Sequence, residues 1–378
     1  MNDYNVPDDY MAGVTKLSME IITGNIPDIL DITFLPVEQY VAMGLLEDLY
    51  PFIDDDPELN REDFVENLFS RAEIEGGLYY VFPLYTLSTI AGNPNVLGSQ
   101  PGWTVDEFID VLAKNPNADI PMGAWFPNEH FLHYAVRLNM DRFIDRVAGT
   151  ADFDNEDFIE ILKAASFFPS DVLSYYDINY RDDLASGRQI MKHYWFQGFT
   201  DYQKERELFG GELVFKGFPG LTGIGSFIDP YPTFAITTVS ENKDGAWSFI
   251  RSFMTDHWQQ NAFDQGPHRI PTNKAVFDHM IEKAMNQPEQ TITIREVLGG
   301  EITSIDLALK PIPQAEMDRF LELNSTAVVM RSNDYLFTSI MNIVNETASG
   351  YFSGQITAKD AARIIQSRAS ILASEQFG

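Results

Sequence analysis

Aromatic side chains on turns, beside polar or acidic residues, are the groups in this sequence with the clearest chemical potential. A flat aromatic ring covers the apolar C–H face of a hydroxylated ring, and nearby polar groups must pair its hydroxyls, because an unpaired polar group in a closed site is costly. Four clusters have this character: Trp195 with Phe196, Trp125 with Glu129, Ser226 with Asp229 and Tyr231, and Tyr85 with Phe34. These residues favour binding of a small polar solute.

Each cluster also has a purely structural interpretation. Trp195 and Phe196 could pack in a core, and Trp125 could sit on a surface turn. An aspartate before proline, as at Asp229, is commonly a turn former. Three weaker candidates for contact with a ligand are Tyr175, Asp334 and Tyr335. Solvent-exposed tyrosines are common in folded proteins, so the tyrosines need no ligand to account for them.

Enzymatic chemistry has little support in the sequence. The strings G-x-S-x-G, H-E-x-x-H and G-x-x-x-x-G-K-[ST] do not occur, and the chain contains no cysteine, which closes thiol mechanisms. A glycosidase would need two acids flanking a sugar, but 56 acidic residues make any pairing in the sequence uninformative. We therefore expect a protein that is not an enzyme and needs no cofactor.

Two patterns suggest metal sites, and neither is sufficient. His130 and His133 have i, i+3 spacing beside Glu129, yet ordinary helix residues explain them better. The acidic segments 54–63 and 152–155 lack the glycine and the terminal glutamate of an EF-hand, which favours solvated helix starts. No metal is expected.

Charge and length narrow the class of protein further. A formal net charge of -30 repels nucleic acid and anionic membranes. A chain of 378 residues exceeds the usual size of one core, so two lobes are expected. No apolar run is long enough to cross a bilayer, and segment 1–15 does not resemble a signal peptide, so any export signal is expected outside this chain.

Alternating amphipathic and short apolar segments predict an α/β architecture with two parallel sheets. Helices are predicted at 14–22, 37–43, 104–114, 155–166, 243–255 and 358–373, with a capping box from Thr104 to Glu107. Strands are predicted at 29–34, 78–83, 190–195, 212–215 and 233–238. Glycine and proline cluster at 92–102 and 215–232, which suggests passages between lobes.

Six ordered strings carry a family resemblance. They are Gly24-Asn-Ile-Pro-Asp-Ile29 with Gly44-Leu-Leu-Glu-Asp-Leu49, Gly76 to Pro83, Leu184 to Met191 before Trp195, Ala235 to Ile250, Pro271 to Val276, and Ser353 to Ala362. Together they resemble the family 1 extracellular solute-binding proteins of ABC importers, of the maltose-binding, carbohydrate type. Segment 284–329 looks like an insertion, and the strand and helix that normally precede the region matching 1–24 are missing, so the first lobe is expected to be incomplete.

The resemblance implies a two-lobed, type II periplasmic-binding-protein-like fold with several hinge crossings. The lobes are expected at 1–86 with 236–282, and at 87–235 with 283–378. The resemblance also implies a sugar-stacking tryptophan at Trp195 and an aromatic and acidic turn at 125–129.

The implied function is capture of a small solute, a sugar or oligosaccharide, in an interlobe cleft and delivery to the membrane subunits of an ABC permease. The chain is expected to be a monomer outside the cell, tethered by a lipid on a segment absent here, or periplasmic. The alternative is a ligand-sensing receptor that does not transport.

Overall fold

The computed structural model describes residues 10–171, 180–221, 223, 225–266, 269–298, 301–330 and 335–377. The helices are α1 Tyr10–Ile22, α2 Val37–Ala42, α3 Tyr50–Asp54, α4 Pro94–Leu97, α5 Val105–Lys114, α6 Asn128–Leu138, α7 Met140–Phe143, α8 Glu156–Ala165, α9 Tyr180–Ser186, α10 Phe199–Leu208, α11 Lys243–Met254, α12 Asp256–Gln265, α13 Lys274–Asn286, α14 Gln314–Thr326, α15 Tyr335–Phe352 and α16 Ala358–Phe377. The strands are β1 Ile29–Asp31, β2 Leu84–Gly92, β3 Ile144–Asp145, β4 Thr150–Ala151, β5 Met191–Phe196, β6 Val214–Phe215, β7 Phe227–Pro230, β8 Phe234–Ile236, β9 Ile270–Pro271, β10 Gln290–Leu298, β11 Glu301–Leu309 and β12 Val328–Val329. This mixture of helices and short strands confirms the α/β class.

The chain divides into two compact units, each built from several separate segments. Unit 1 comprises Met1–Thr86, Ile228–Glu282 and Val329–Asp334, and unit 2 comprises Leu87–Phe227, Lys283–Val328 and Tyr335–Gly378. The chain therefore passes between units within β2 and again within β7, whereas the glycine-rich segment 92–102 lies wholly in unit 2.

Unit 1 is organised around the antiparallel pair β1–β8, in which Leu30 faces Ala235. The first residues of β2 pair with β9, and Val81 forms a bridge with Phe234. Leu30, Val81, Phe82 and Tyr85 are fully or almost fully buried, because apolar side chains at these strand positions leave water together. Helix α11 is held to the loop after α3 by the indole of Trp247, which donates to Asp56 Oδ2 at 2.8 Å.

Unit 2 is built on the longer part of β2, which pairs antiparallel with β5 and with β6. Helices α5, α6, α8, α15 and α16 pack on one another and bury their apolar faces. Phe108 of α5 stacks on Phe131 of α6 at 5.3 Å between ring centroids. Helix α5 begins at the predicted capping box, where Thr104 Oγ1 accepts from the Glu107 amide and Glu107 accepts from the Thr104 amide.

All six helices predicted from apolar spacing are confirmed, with ends within a few residues. Four of the five predicted strands are confirmed, at β1, β5, β6 and β8. The strand predicted at 78–83 is wrong: that segment has a single bridge, at Val81, and the strand begins at Leu84. Proline at position 83 explains the late start, because it cannot donate to a ladder.

The prediction of parallel sheets is also wrong for every strand pair whose register is described. β1–β8, β2–β5, β2–β6, β2–β9, β3–β4 and β10–β11 are all antiparallel. Strands that neighbour each other in these sheets are mostly far apart in the chain, so the local alternation of helix and strand did not determine their relative direction.

The segment interpreted as an insertion, 284–329, contains the β10–β11 hairpin and α14. Along the hairpin, Ile292 faces Leu307 and Ile294 faces Ile305, while Thr293 and Asp306 are paired on the opposite, exposed side. Within the described part of the chain, no helix combines the length and the hydropathy required to cross a bilayer.

Candidate ligand-binding site

The β2–β5 pair assembles the best candidate site, and it lies entirely in unit 2. Ser88 of β2 is the Cα partner of Trp195, and Ile90 is the partner of His193. Because side chains alternate between the faces of a strand, Ser88, His193 and Trp195 share one face. The Ser88 hydroxyl lies 2.8 Å from Nε2 of His193, within hydrogen-bonding distance.

Aromatic rings surround this face and form a continuous group, here called the aromatic cluster. Its members are Phe126, Tyr134, His193, Trp195, Phe218 and Phe227. The His193 and Trp195 ring centroids are 3.8 Å apart, and Tyr134 is stacked on Phe218 at 4.2 Å. Trp195 is 46% exposed although its cluster neighbour Phe218 is fully buried. The cluster thus exposes the wide indole ring of Trp195 to solvent, and packed aromatic rings support that indole from beneath.

Two histidines in or beside the aromatic cluster, His193 and His133, are neutral at physiological pH. Burial, with smaller contributions from the nearby His130 and Lys192, lowers the pKa of His193 to about 3. Burial also lowers the pKa of His133 to about 4, with Arg137 acting in the same direction. The environment of the aromatic cluster therefore disfavours additional positive charge.

The turn that leads into α6 carries a second exposed indole. Trp125 is 52% exposed, and the next residue, Phe126, is buried in the aromatic cluster at 5.5 Å from the His193 ring. Glu129, in the first turn of α6, is exposed. The turn predicted from sequence thus joins the same cluster through Phe126.

Two predicted contact residues of unit 2 lie away from this face. Phe196 is fully buried, with its ring 4.5 Å from Phe320 and 5.1 Å from Phe199, so the alternative of core packing describes it. Ser226 is buried and its hydroxyl lies 2.9 Å from that of Thr89, which points to the other face of β2. We leave both out of the candidate site.

In unit 1, Asp229 and Tyr231 lie close to Arg269. The Arg269 guanidinium carbon is 4.2 Å from the centroid of the Tyr231 ring, and Tyr231 is 43% exposed. Burial raises the pKa of Asp229, and the charge of Arg269 opposes that shift. This group combines an exposed aromatic face with a carboxylate, the types of side chain expected for a hydroxylated ligand.

The remaining candidates are scattered. Tyr85 is fully buried in unit 1, 6.4 Å from the Phe82 ring, and is a core residue, whereas Phe34 is 39% exposed. Tyr335 is the first residue of α15. Tyr175 and Asp334 lie outside the described residues.

Sequence reasoning missed Ser88, His193, Tyr134 and Phe218. The His193–Trp195 spacing of two was an available signal, because it places both on one face of a strand. Ser88 had no local signal, since its partner is 105 residues away. In the described ranges, no group of three or more histidine, aspartate or glutamate side chains is arranged to hold a metal ion.

Comparison with known proteins identifies the family. A family model described as "Bacterial extracellular solute-binding protein" matches residues 5–289, more than half of the chain. The chain therefore belongs to the bacterial extracellular solute-binding protein family.

Solved structures share the fold at low sequence identity. The sugar-binding protein MalE from the phytopathogen Xanthomonas citri is 16% identical, with a TM-score of 0.64 over 97% of this chain and 88% of that one. An ABC substrate-binding protein from Listeria monocytogenes, in complex with cycloalternan, is 13% identical, with a TM-score of 0.60 over 96% and 89%. A Thermotoga lettingae ABC transporter solute-binding protein bound with alpha-D-tagatose is 15% identical, with a TM-score of 0.57 over 97% and 89%.

Proposed function

We propose that this solute-binding protein captures a carbohydrate, and that the exposed Trp195 face of the aromatic cluster is its main contact in unit 2. The observation that carries the proposal is an indole 46% exposed on a base of buried rings. A half-exposed indole on a rigid base can cover the C–H face of a sugar at a low cost in conformational entropy.

The charges near the site favour a neutral ligand. His193 in the aromatic cluster and His133 beside it are uncharged at neutral pH, because burial lowers the pKa of both. The net charge of -30 opposes anionic solutes at long range. Within unit 1, Asp229 and Tyr231 form a separate pair, a carboxylate and an aromatic ring, whose chemistry suits sugar hydroxyls and C–H groups.

The relatives support the same ligand class. MalE from Xanthomonas citri is a sugar-binding protein, and the Listeria and Thermotoga proteins were solved with cycloalternan and tagatose. We propose that this chain delivers its ligand to the membrane subunits of an ABC transporter. It would work as a monomer outside the cytoplasmic membrane, lipid-tethered or periplasmic, and bind its ligand without chemical turnover.

Calorimetry against a panel of monosaccharides and of linear and cyclic oligosaccharides tests the proposal. For the tightest sugar, Trp195→Ala is expected to raise Kd roughly tenfold or more, from loss of ring contact. The control is Phe167→Ala, which truncates another partly exposed aromatic of unit 2 outside the aromatic cluster and should leave Kd within about twofold.

Two outcomes would contradict the proposal. The first is that no sugar of the panel binds the wild-type chain. The second is that Trp195→Ala binds as tightly as Phe167→Ala. Recovery of the sugar unchanged after prolonged incubation with the protein checks the absence of turnover, whereas release of smaller sugars would indicate an enzyme.

A further inference from the structure

His193 occupies an unusual position for a polar side chain. It is only 9% exposed, and its ring contacts Trp195 at 3.8 Å between centroids, the shortest ring separation in the aromatic cluster. Phe126 and Phe218 lie at 5.5 and 5.2 Å, both edge-on. The imidazole is therefore the group that supports the exposed indole from within unit 2.

The hydroxyl of Ser88 holds this imidazole by a polar contact. Ser88 is fully buried, and its Oγ is 2.8 Å from Nε2 of His193. A serine hydroxyl can donate or accept, so it pairs with either neutral tautomer. Of the rings that pack edge-on against the imidazole, Phe126 and Phe218 carry no polar atom, whereas Tyr134, at 4.7 Å, carries a hydroxyl. An unpaired buried ring nitrogen would cost free energy.

We propose that the Ser88–His193 pair is a positioning element that sets the orientation of the Trp195 indole for its ligand. The hydrogen bond fixes the rotation of the imidazole, and the imidazole in turn limits the angles that the indole can adopt. The role of the pair in affinity rests on the proposed function, whereas its effect on the indole is a property of the unliganded protein.

The surrounding charges are compatible with this role. The groups that act on His193 are His130 and His133 from α6 and Lys192 from its own strand. Burial is the main reason why a positive charge on the imidazole is disfavoured, so the pair remains a hydrogen bond between neutral groups. A neutral imidazole can pack face to edge against aromatic rings without the desolvation cost of an imidazolium.

The test uses Ser88→Ala, which removes the hydrogen bond and leaves every ring in place, together with His193→Phe, which keeps a ring and removes its nitrogens. Thr347→Val is the control, because it removes a buried hydroxyl of unit 2 that belongs to α15 and lies outside the aromatic cluster. Indole N–H resonances of the unliganded protein are recorded by NMR, and the Trp195 signal is assigned by its loss in Trp195→Phe.

Ser88→Ala and His193→Phe are expected to shift the Trp195 resonance, while Thr347→Val leaves it in place. An unchanged Trp195 resonance in both Ser88→Ala and His193→Phe would overturn the proposal, and this arm needs no ligand. It therefore remains decisive even if no sugar binds the wild-type chain, a result that would refute only the proposed function.

The second part of the test measures the Kd for the ligand in a double-mutant cycle. Ser88→Ala is expected to raise the Kd for the sugar roughly three- to tenfold, the scale of one lost hydrogen bond. In a Trp195→Ala background the same substitution should change Kd by less than about twofold, because the indole it orients is gone. An equal loss of affinity in both backgrounds would show that the pair does not act through Trp195.

Discussion

Removing the carboxylate of Glu316 should strongly destabilise unit 2, because it leaves a buried arginine without its principal ion pair. The Arg206 side chain is 4% exposed and that of Glu316 is 13% exposed. Glu316 Oε2 accepts from Arg206 Nη1 at 3.2 Å and from the Tyr202 hydroxyl at 2.7 Å. This arrangement joins α10 to α14.

The size of the destabilisation follows from the groups that Glu316→Leu would leave buried without their partner. Breaking a buried ion pair by removing one partner costs roughly 3–5 kcal/mol. After Glu316→Leu, Arg206 keeps the Lys310 carbonyl at 3.1 Å and Glu207 at 3.6 Å, which favours the lower end of that range. The orphaned Tyr202 hydroxyl adds about 1–3 kcal/mol, since the residue is 2% exposed.

Replacing Tyr202, Arg206 and Glu316 together should recover most of this lost stability. In the triple variant Y202F/R206M/E316L, no buried charge or hydroxyl of the group remains, and such replacements are often neutral or stabilising. The Lys310 carbonyl keeps a partner in this variant, because the Gln203 side chain also donates to it. We expect the triple variant to fall within roughly 2 kcal/mol of the wild type.

Thermal and urea unfolding measure both effects. A loss of about 4–6 kcal/mol corresponds to a Tm lower by roughly 8–24 °C for a unit of this size. Glu322→Ala, an exposed acid on the same helix, is the control and should change stability by no more than about 0.5 kcal/mol. The reasoning is refuted if E316L is as stable as that control, or if the triple variant is no more stable than E316L.

Two further substitutions test backbone packing and the half-buried carboxylate of Asp229. Gly225→Ala should destabilise the protein by at least about 1–3 kcal/mol, because a Cβ at Gly225 would lie 1.7 Å from the carbonyl oxygen of Phe218; a Tm equal to that of the wild type would contradict this. Asp229→Asn should stabilise the unliganded protein increasingly as the pH rises above 3.8. Since the folded pKa of Asp229 is raised, the folded state holds its proton above the unfolded value of 3.8, and stability falls as pH rises through the folded pKa. A Tm difference between D229N and wild type that is constant with pH would contradict this.

The helices were predictable because their signals are local. An apolar stripe at three- and four-residue spacing requires only neighbouring residues, as in α5, where Val105, Phe108 and Leu112 are buried. The Thr104 cap is likewise set by a residue three positions away. Such elements are specified within a dozen residues, so the sequence alone was sufficient for them.

The pairing of strands depends on distant residues, and there the sequence was insufficient. β1 pairs with a strand about two hundred residues later, with Ile29 facing Ile236. Local alternation of helix and strand favoured parallel neighbours, but direction is decided by which strands meet across long connections. The Ser88–His193 hydrogen bond, with a separation of 105 residues, is inaccessible for the same reason.

Trp195 and Phe196 illustrate the limit most directly. Consecutive residues of a strand point to opposite faces, so the two rings cannot both lie on the side that meets a ligand. Alternation alone does not say which of the two rings is buried. Pairing with β2 decides it: the face of β2 that carries Ser88 also carries the aromatic cluster, whereas the face that carries Thr89 packs against the core. Phe196 accordingly packs on Phe320, and Trp195 stays half exposed. A one-residue shift of register would exchange their environments, so the identity of the binding residue is determined by tertiary pairing rather than by residue type.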